Sequence, residues 1–197
     1  MIVAVAGRRI DAPGAQPPRF PLTRRSQTRR KITAALRRLD ATVVVSSAAC
    51  GADLLALDAA RALGLRRRII LPYRPEWFLA DSVTDRPGHW KALYESLIAE
   101  ARATGDLVAL DYPRGSDDAF RAVNENIVSE AQRLAQRESP SDPSAALGGL
   151  IIWEGAPRGP DDITQHLKER LEQAGGRVER VLTLPARSRR PEPQPAR

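Results

Sequence analysis

The sequence predicts a three-layer α/β fold, a parallel sheet of about six strands with helices on both faces. Three observations carry that expectation. Apolar runs of strand length alternate with stretches of helical periodicity along nearly the whole chain, the pattern of parallel strands joined by crossover helices. The runs are continuously apolar rather than alternating, as strands buried on both faces are. Glycine-containing turns also stand between strands and the helices that follow them, a common joint in such folds.

The elements follow in order. MIVAVAG (1–7) is the first strand, and a Pro- and Arg-rich stretch follows at 8–25. From Ser26, the apolar residues Ile32, Ala35, Leu36 and Leu39 have helical spacing. TVVVS (42–46) is the second strand, 52–63 the second helix and RRIILPY (67–73) the third strand. RPEWFLADSV, which comes next, reads as a short helix or a lid. Trp90, Tyr94, Leu97 and Ala101 mark a helix with a wide apolar stripe. DLVAL (106–110) is the fourth strand, and Phe120, Val123, Ile127, Ala131 and Leu134 line another helix. ESPSDPSAALGG (138–149) reads as a flexible connection. LIIWEG (150–155) is the fifth strand, Ile163, Leu167 and Leu171 mark the last helix, and RVERVLTL (177–184) is an edge strand. One domain is expected over 1–184. A disordered basic tail of Pro and Arg is expected over 185–197.

Composition narrows the function classes. No apolar run approaches the 18 residues a membrane span needs. The first residues lack the basic segment and cleavage site of a secretory leader. The single cysteine, Cys50, excludes an intrachain disulfide and a multi-cysteine metal centre. Only His89 and His166 are present, far apart in sequence, so no metal or other cofactor is expected. A cytoplasmic protein fits these features most simply. The net charge of +7 is uneven. Residues 1–40 hold ten Arg and Lys against two Asp, and the last thirteen residues hold four Arg against one Glu. The middle of the chain is therefore acidic. Such a cluster of positive charge suits a small polyanion as well as a nucleic-acid backbone.

In parallel sheets, ligands bind beyond the carboxyl ends of the strands, where the strand order reverses. SSAACGAD, after the second strand, offers the small residues that let an anion approach unpaired amides at a helix start. Ser46, Ser47, Gly51 and Asp53 are its candidate ligand-binding residues. Small residues also let a helix pack closely on a sheet, and the stretch matches neither G-x-G-x-x-G nor the P-loop. WEGAPRGPDDITQHL enters the last helix through Gly155 and Gly159, with Asp162 or Thr164 as its cap. The long loop GRRIDAPGAQPPRFP is costly unless it covers something. Its Arg8, Arg9 and Arg19 have the forked geometry that pairs with phosphate. Asn124 is placed to read a base edge or ribose, or to bond a neighbouring loop carbonyl.

These stretches together resemble the SLOG superfamily, the Rossmann-like group that includes the Lonely-Guy phosphoribohydrolases, the DNA-processing protein A fold and nucleotide-sensing domains of bacterial conflict systems. SSAACGADLLALDAA is similar to its first glycine motif. GRRIDAPG…PRFP and LPYRPEWFLADSV resemble a branch found beside signalling and effector modules, and NENIV with LIIWEGAPRGPDD resembles the second half of the pocket. The similarity runs over about residues 1–184. It implies a nucleotide or nucleotide-derived ligand over Gly51 and Gly155, with Gly7, Arg8, Ser47, Asp53, Asn124 and Gly159 around it. It also implies an effector partner encoded nearby and a homo-oligomer. For Asp53 it implies an acceptor for a ribose hydroxyl, with a loop tie or a helix-terminus role as the equal alternative.

The phosphoribohydrolases carry P-G-G-x-G-T-x-x-E in the second loop. Here GAPRGPDDIT has Pro160 at the threonine position and Ile163 at the glutamate position. Asp161 and Asp162 are near, with shorter and displaced carboxylates, and are the catalytic candidates if the chain performs N-glycosidic hydrolysis. Three readings result. The first is a nucleotide-binding sensor module with phosphate at the glycine turns. The second is a nucleoside-monophosphate hydrolase, and the third is single-stranded nucleic-acid binding through the basic segments.

Overall fold

Six strands form one all-parallel sheet in the computed structural model, which describes residues 1–185. They are β1 (Ile2–Gly7), β2 (Val43–Ser46), β3 (Arg66–Leu71), β4 (Leu107–Ala109), β5 (Leu147–Trp153) and β6 (Arg177–Leu182), in the spatial order β4-β3-β2-β1-β5-β6. The helices are α1 (Arg25–Arg38), α2 (Ala52–Ala62), α3 (Pro75–Ser82), α4 (Lys91–Ala103), α5 (Asp117–Glu138), the single turn α6 (Pro143–Ala146) and α7 (Ile163–Gln173). The expected α/β class is thus what the chain adopts, with β6 at one edge. Beyond Pro185, the basic tail expected from the sequence lies outside the described residues.

β1 is central because every one of its residues is apolar or glycine and can be covered on both faces. Val3 and Val5 face one core, shared with Ile32 and Leu36 of α1, Leu54 and Leu57 of α2, and Tyr94 and Leu97 of α4. Ile2, Ala4 and Ala6 face the other, shared with Val123, Ile127 and Ala131 of α5 and Leu167 and Leu171 of α7. The strand's two-residue period thus assigns alternate side chains to two separate cores.

The connection expected over 138–149 is partly strand. Leu147, Gly148 and Gly149 pair with Ile2, Val3 and Ala4 of β1. The Gly-Gly pair that suggests flexibility serves packing instead. A β-carbon on Gly148 would lie 2.7 Å from Met1 Sδ, and one on Gly149 would lie 2.6 Å from Leu171 Cδ1 of α7. RPEWFLADSV forms a helix, α3, which begins with proline in its first turn and buries Phe78 and Ser82.

The chain steps outward from β1 through β2 and β3 to β4. It then crosses back beneath the sheet on the 22-residue α5 and continues on the opposite side of β1 with β5 and β6. Strand order therefore reverses between β1 and β5. Their carboxyl ends, Gly7 and Trp153, mark the place where parallel sheets leave a crevice.

Candidate functional site

A cavity of about 480 Å³ opens there. It straddles the end of β1. On the α2 and α3 side its lining includes Ser47, Asp53, Phe78 and Ser82, and on the other side Phe120, Val123 and Ile127 of α5 with Ile163 and Thr164 of α7. The long loop after β1 supplies a further wall through Ile10, Ala12, Ala15 and Pro17. Phe120, Val123 and Ile127 fall at i, i+3 and i+7, so one helical face forms an apolar surface. Phe78 and Ser82, at i and i+4 of α3, place an aromatic ring and a hydroxyl side by side.

Of the residues singled out in the sequence, Gly7, Arg8, Arg9, Arg19, Ser47, Asp53 and Asn124 line this cavity. Ser46 does not; it is fully buried in β2. Gly51 does not either, and the reason is specific. The backbone of Arg8–Ile10 crosses directly over it, and a β-carbon would lie 2.7 Å from both the Arg8 oxygen and the Ile10 nitrogen. Gly51 also has φ +106, a conformation that only glycine adopts without strain. Its smallness therefore serves the crossing of two backbones. Gly51→Ala is expected to destabilise the chain by about 3 kcal/mol or more, read as a lowered denaturation midpoint. An unchanged midpoint would count against this account.

Several amides around the α2 start are engaged as well. Ala52 donates to the Arg8 carbonyl at 3.0 Å, Cys50 to the Ser82 carbonyl at 2.9 Å, and Ala49 to Asp53 Oδ2 at 3.2 Å. The α7 start is likewise closed. Asp162 caps it, accepting from the amides of Thr164, Gln165 and Arg158. Gly155 and Gly159 lie exposed beyond the cavity wall. The structure thus brings the two glycine loops to one sheet edge but fills both helix starts with the protein's own acceptors.

Arg8 explains how the edge is held. It is buried, and its Nε donates to Glu154 Oε2 at 2.6 Å. Its Nη1 reaches Asp162 Oδ1 at 2.9 Å and Thr164 Oγ1 at 3.3 Å, while Nη2 reaches the Ala156 carbonyl at 2.9 Å. Glu154 also pairs with Arg19. Burial alone would raise the Glu154 and Asp162 carboxyls. The hydrogen bonds and charge of Arg8 outweigh it at Glu154, and the Arg158 amide with the Arg8 charge outweigh it at Asp162, so both sit below their usual range. Glu154 escaped the sequence reading, although an acid at the end of a strand facing an arginine loop was the available sign.

The other cations near the cavity also have acid partners. Arg9 and Arg86 both pair with Asp85. Arg158, half exposed, meets Asp162 only at 3.6 Å and is the least committed. Ser82, Arg86, Arg158 and Phe120 were not singled out from the sequence, because no local pattern separates a helix residue that lines a cavity from one in ordinary packing. Asn124 donates to the Ile163 carbonyl at 2.7 Å, which ties α5 to the start of α7. Asp161 is exposed and faces Arg121, and Asp162 is consumed by its cap and by Arg8; neither lines the cavity. Cys50 is buried, and burial pushes its thiol up, against the pull of the Arg9 charge, so it packs as a small apolar group.

Asp53 differs from the other acids. Among the described residues its one hydrogen bond comes from the Ala49 amide. Burial raises its carboxyl from the ordinary 3.8 to about 7, and the Ala49 amide and the Arg9 charge only partly offset this. Among the described residues no three His, Cys, Asp or Glu side chains group to hold a metal ion, and no helix is long and apolar enough to cross a membrane.

No protein-family model matches the chain, and no curated protein matches it. Among solved structures the chain is similar to the X-ray structure of DNA processing protein A from Streptococcus pneumoniae, at 16% identity and a TM-score of 0.42. The likeness covers 92% of this chain and 58% of that one, so this chain spans under two thirds of that protein's length.

Proposed function

We propose that the chain is a binding module for a nucleotide or nucleotide derivative, which lies across the end of β1. The observation that supports this most is the cavity at the β1–β5 reversal, with one apolar wall and an arginine rim. Its volume is within the range that takes a small organic ligand. The face of Phe120, Val123 and Ile127 suits a planar base. Arg158, with Arg19, suits a phosphate, since the first-turn amides beside them are closed to a ligand: Asp162 caps the α7 start. Because Asp85 already neutralises Arg9 and Arg86, and Glu154 neutralises Arg19, a ligand of low charge is favoured over a triphosphate.

The hydrolase reading gains nothing from the second loop, where neither Asp161 nor Asp162 reaches the cavity. The nucleic-acid reading is weakened because part of α1's positive charge is already partnered. Arg29 pairs with Asp58, Arg38 with Glu179, and Arg25 stacks over Trp90. A thermal-shift screen of mono-, di- and cyclic nucleotides, ADP-ribose and NAD tests the proposal. At least one probe is expected to stabilise the chain, by about 2.7 kcal/mol at a hundredfold excess over its Kd, with no free base released. Salt-sensitive binding to single strands, with no shift from any small probe, would replace it.

A further inference from the structure

We infer that the α2–α3 end of the cavity is a subsite for a vicinal diol, such as the paired hydroxyls of a ribose, and that phosphate is excluded from it. The inference rests on the nucleotide reading and assigns the ligand's orientation within that cavity. Asp53, Ser82 and Arg9 all line the cavity. The consecutive amides of Ala49 and Cys50 hold the first two together, one bonding the Asp53 carboxylate and the other the Ser82 carbonyl.

Two buried polar atoms in this corner lack a partner, and a half-used carboxylate stands beside them. Ser82 is only 1% exposed, and its hydroxyl has no hydrogen-bond partner. Arg9 Nε is buried and equally unpartnered, although the same guanidinium pairs with Asp85 at its far end. Asp53 Oδ2 takes the Ala49 amide, and Oδ1 forms no hydrogen bond among the described residues. Buried polar atoms left in this state are costly and mark places where an outside group completes the bonding.

The complement of this set is a neutral group that both donates and accepts. Phosphate only accepts, and the Asp53 carboxylate offers it repulsion. Two adjacent hydroxyls satisfy the corner: one donates to Asp53, the other accepts from Arg9 Nε, and Ser82 bonds either. Phe78, four residues before Ser82, gives the ring carbons of such a sugar an apolar surface.

Isothermal titration with adenosine, guanosine, cytidine and uridine 5′-monophosphates, each beside its 2′-deoxy form, tests this. The ribose form of the bound nucleotide is expected to bind at least about tenfold tighter than its deoxy form, since a site built for a hydroxyl penalises its absence. Asp53→Asn and Ser82→Ala are each expected to bring that ratio close to one. Ser82→Ala removes a hydroxyl with no partner, so it is expected to fold normally, as circular dichroism would verify. Equal ribose and deoxy affinities in the unaltered chain would overturn the diol subsite and leave the nucleotide reading standing. If none of the eight probes bound, the diol subsite would fall, and the nucleotide reading would fall with it only if the cyclic nucleotides, ADP-ribose and NAD of the thermal-shift screen also gave no shift.

Discussion

Asp53→Asn is expected to raise the melting temperature of the unliganded protein at pH 8, by roughly 5–10 °C, and to change it little at pH 4. The reason is the position of its carboxyl. In the unfolded chain this group titrates near 3.8, whereas in the folded chain burial lifts it to about 7. The folded state therefore holds its proton more tightly, and stability falls as pH rises from about 4 to 7, then levels off. A shift of this size corresponds to at most about 4 kcal/mol. Water admitted by the cavity and the positive end of α2 reduce it to about 2–3 kcal/mol. Each kcal/mol moves the midpoint of a chain of this length by roughly 2–4 °C. Asparagine keeps an oxygen for the Ala49 amide and carries no charge to bury. The measurement is calorimetry of both proteins from pH 4 to 8. A gain of equal size at every pH would show that the carboxyl is not strained by burial. A partly buried acid that costs stability without its ligand is a common property of binding residues.

Arg8→Ala is expected to lower stability by about 3–5 kcal/mol at pH 7, because it leaves the buried Asp162 and the partly buried Glu154 without their shared cation. Arg8→Lys is expected to recover little, since one ammonium cannot serve Glu154, Asp162 and the Ala156 carbonyl in their fixed directions. The pH dependence has the opposite sign to that of Asp53. Both carboxyls sit below their usual range in the fold, so their contribution is complete above about pH 4.5 and is lost as pH falls through the folded values. The gap between Arg8 and Arg8→Ala proteins should therefore narrow on acidification. A gap that stayed constant down to pH 3 in denaturant titrations would mean that the guanidinium's place over the Trp153 ring, 5.8 Å from its centroid, rather than its ion pairs, holds this edge together.

Much of the fold was legible in the sequence. Continuous apolar runs marked β1, β2 and β5, and helical spacing marked α1, α4, α5 and α7, because burial on two faces or on one stripe leaves a local trace. The start of β5 was not legible: Gly148 and Gly149 look like a linker until Met1 and Leu171 are seen to occupy the space their side chains would need. Seven of the candidate ligand residues do line the cavity, since strand ends at a reversal must converge. Ser82, Arg158 and Phe120 were missed because a helix residue's approach to a cavity depends on elements far away in the chain.

The sequence alone determined the layers, the strand count and the edge where the loops gather, because these follow from which residues must avoid water. It also supplied the arginines and small residues of that edge. Only the tertiary structure decided what those residues do. Gly51 lets one backbone cross another, Arg8 neutralises Glu154 and Asp162, and both helix starts are closed from within. Asp53, Ser82 and Arg9 are left facing a cavity with bonds unmade. Hydrogen-bond partners and ion pairs are chosen among groups far apart in sequence, as Arg8 and Asp162 are at a separation of 154 residues, and local pattern carries no record of that choice.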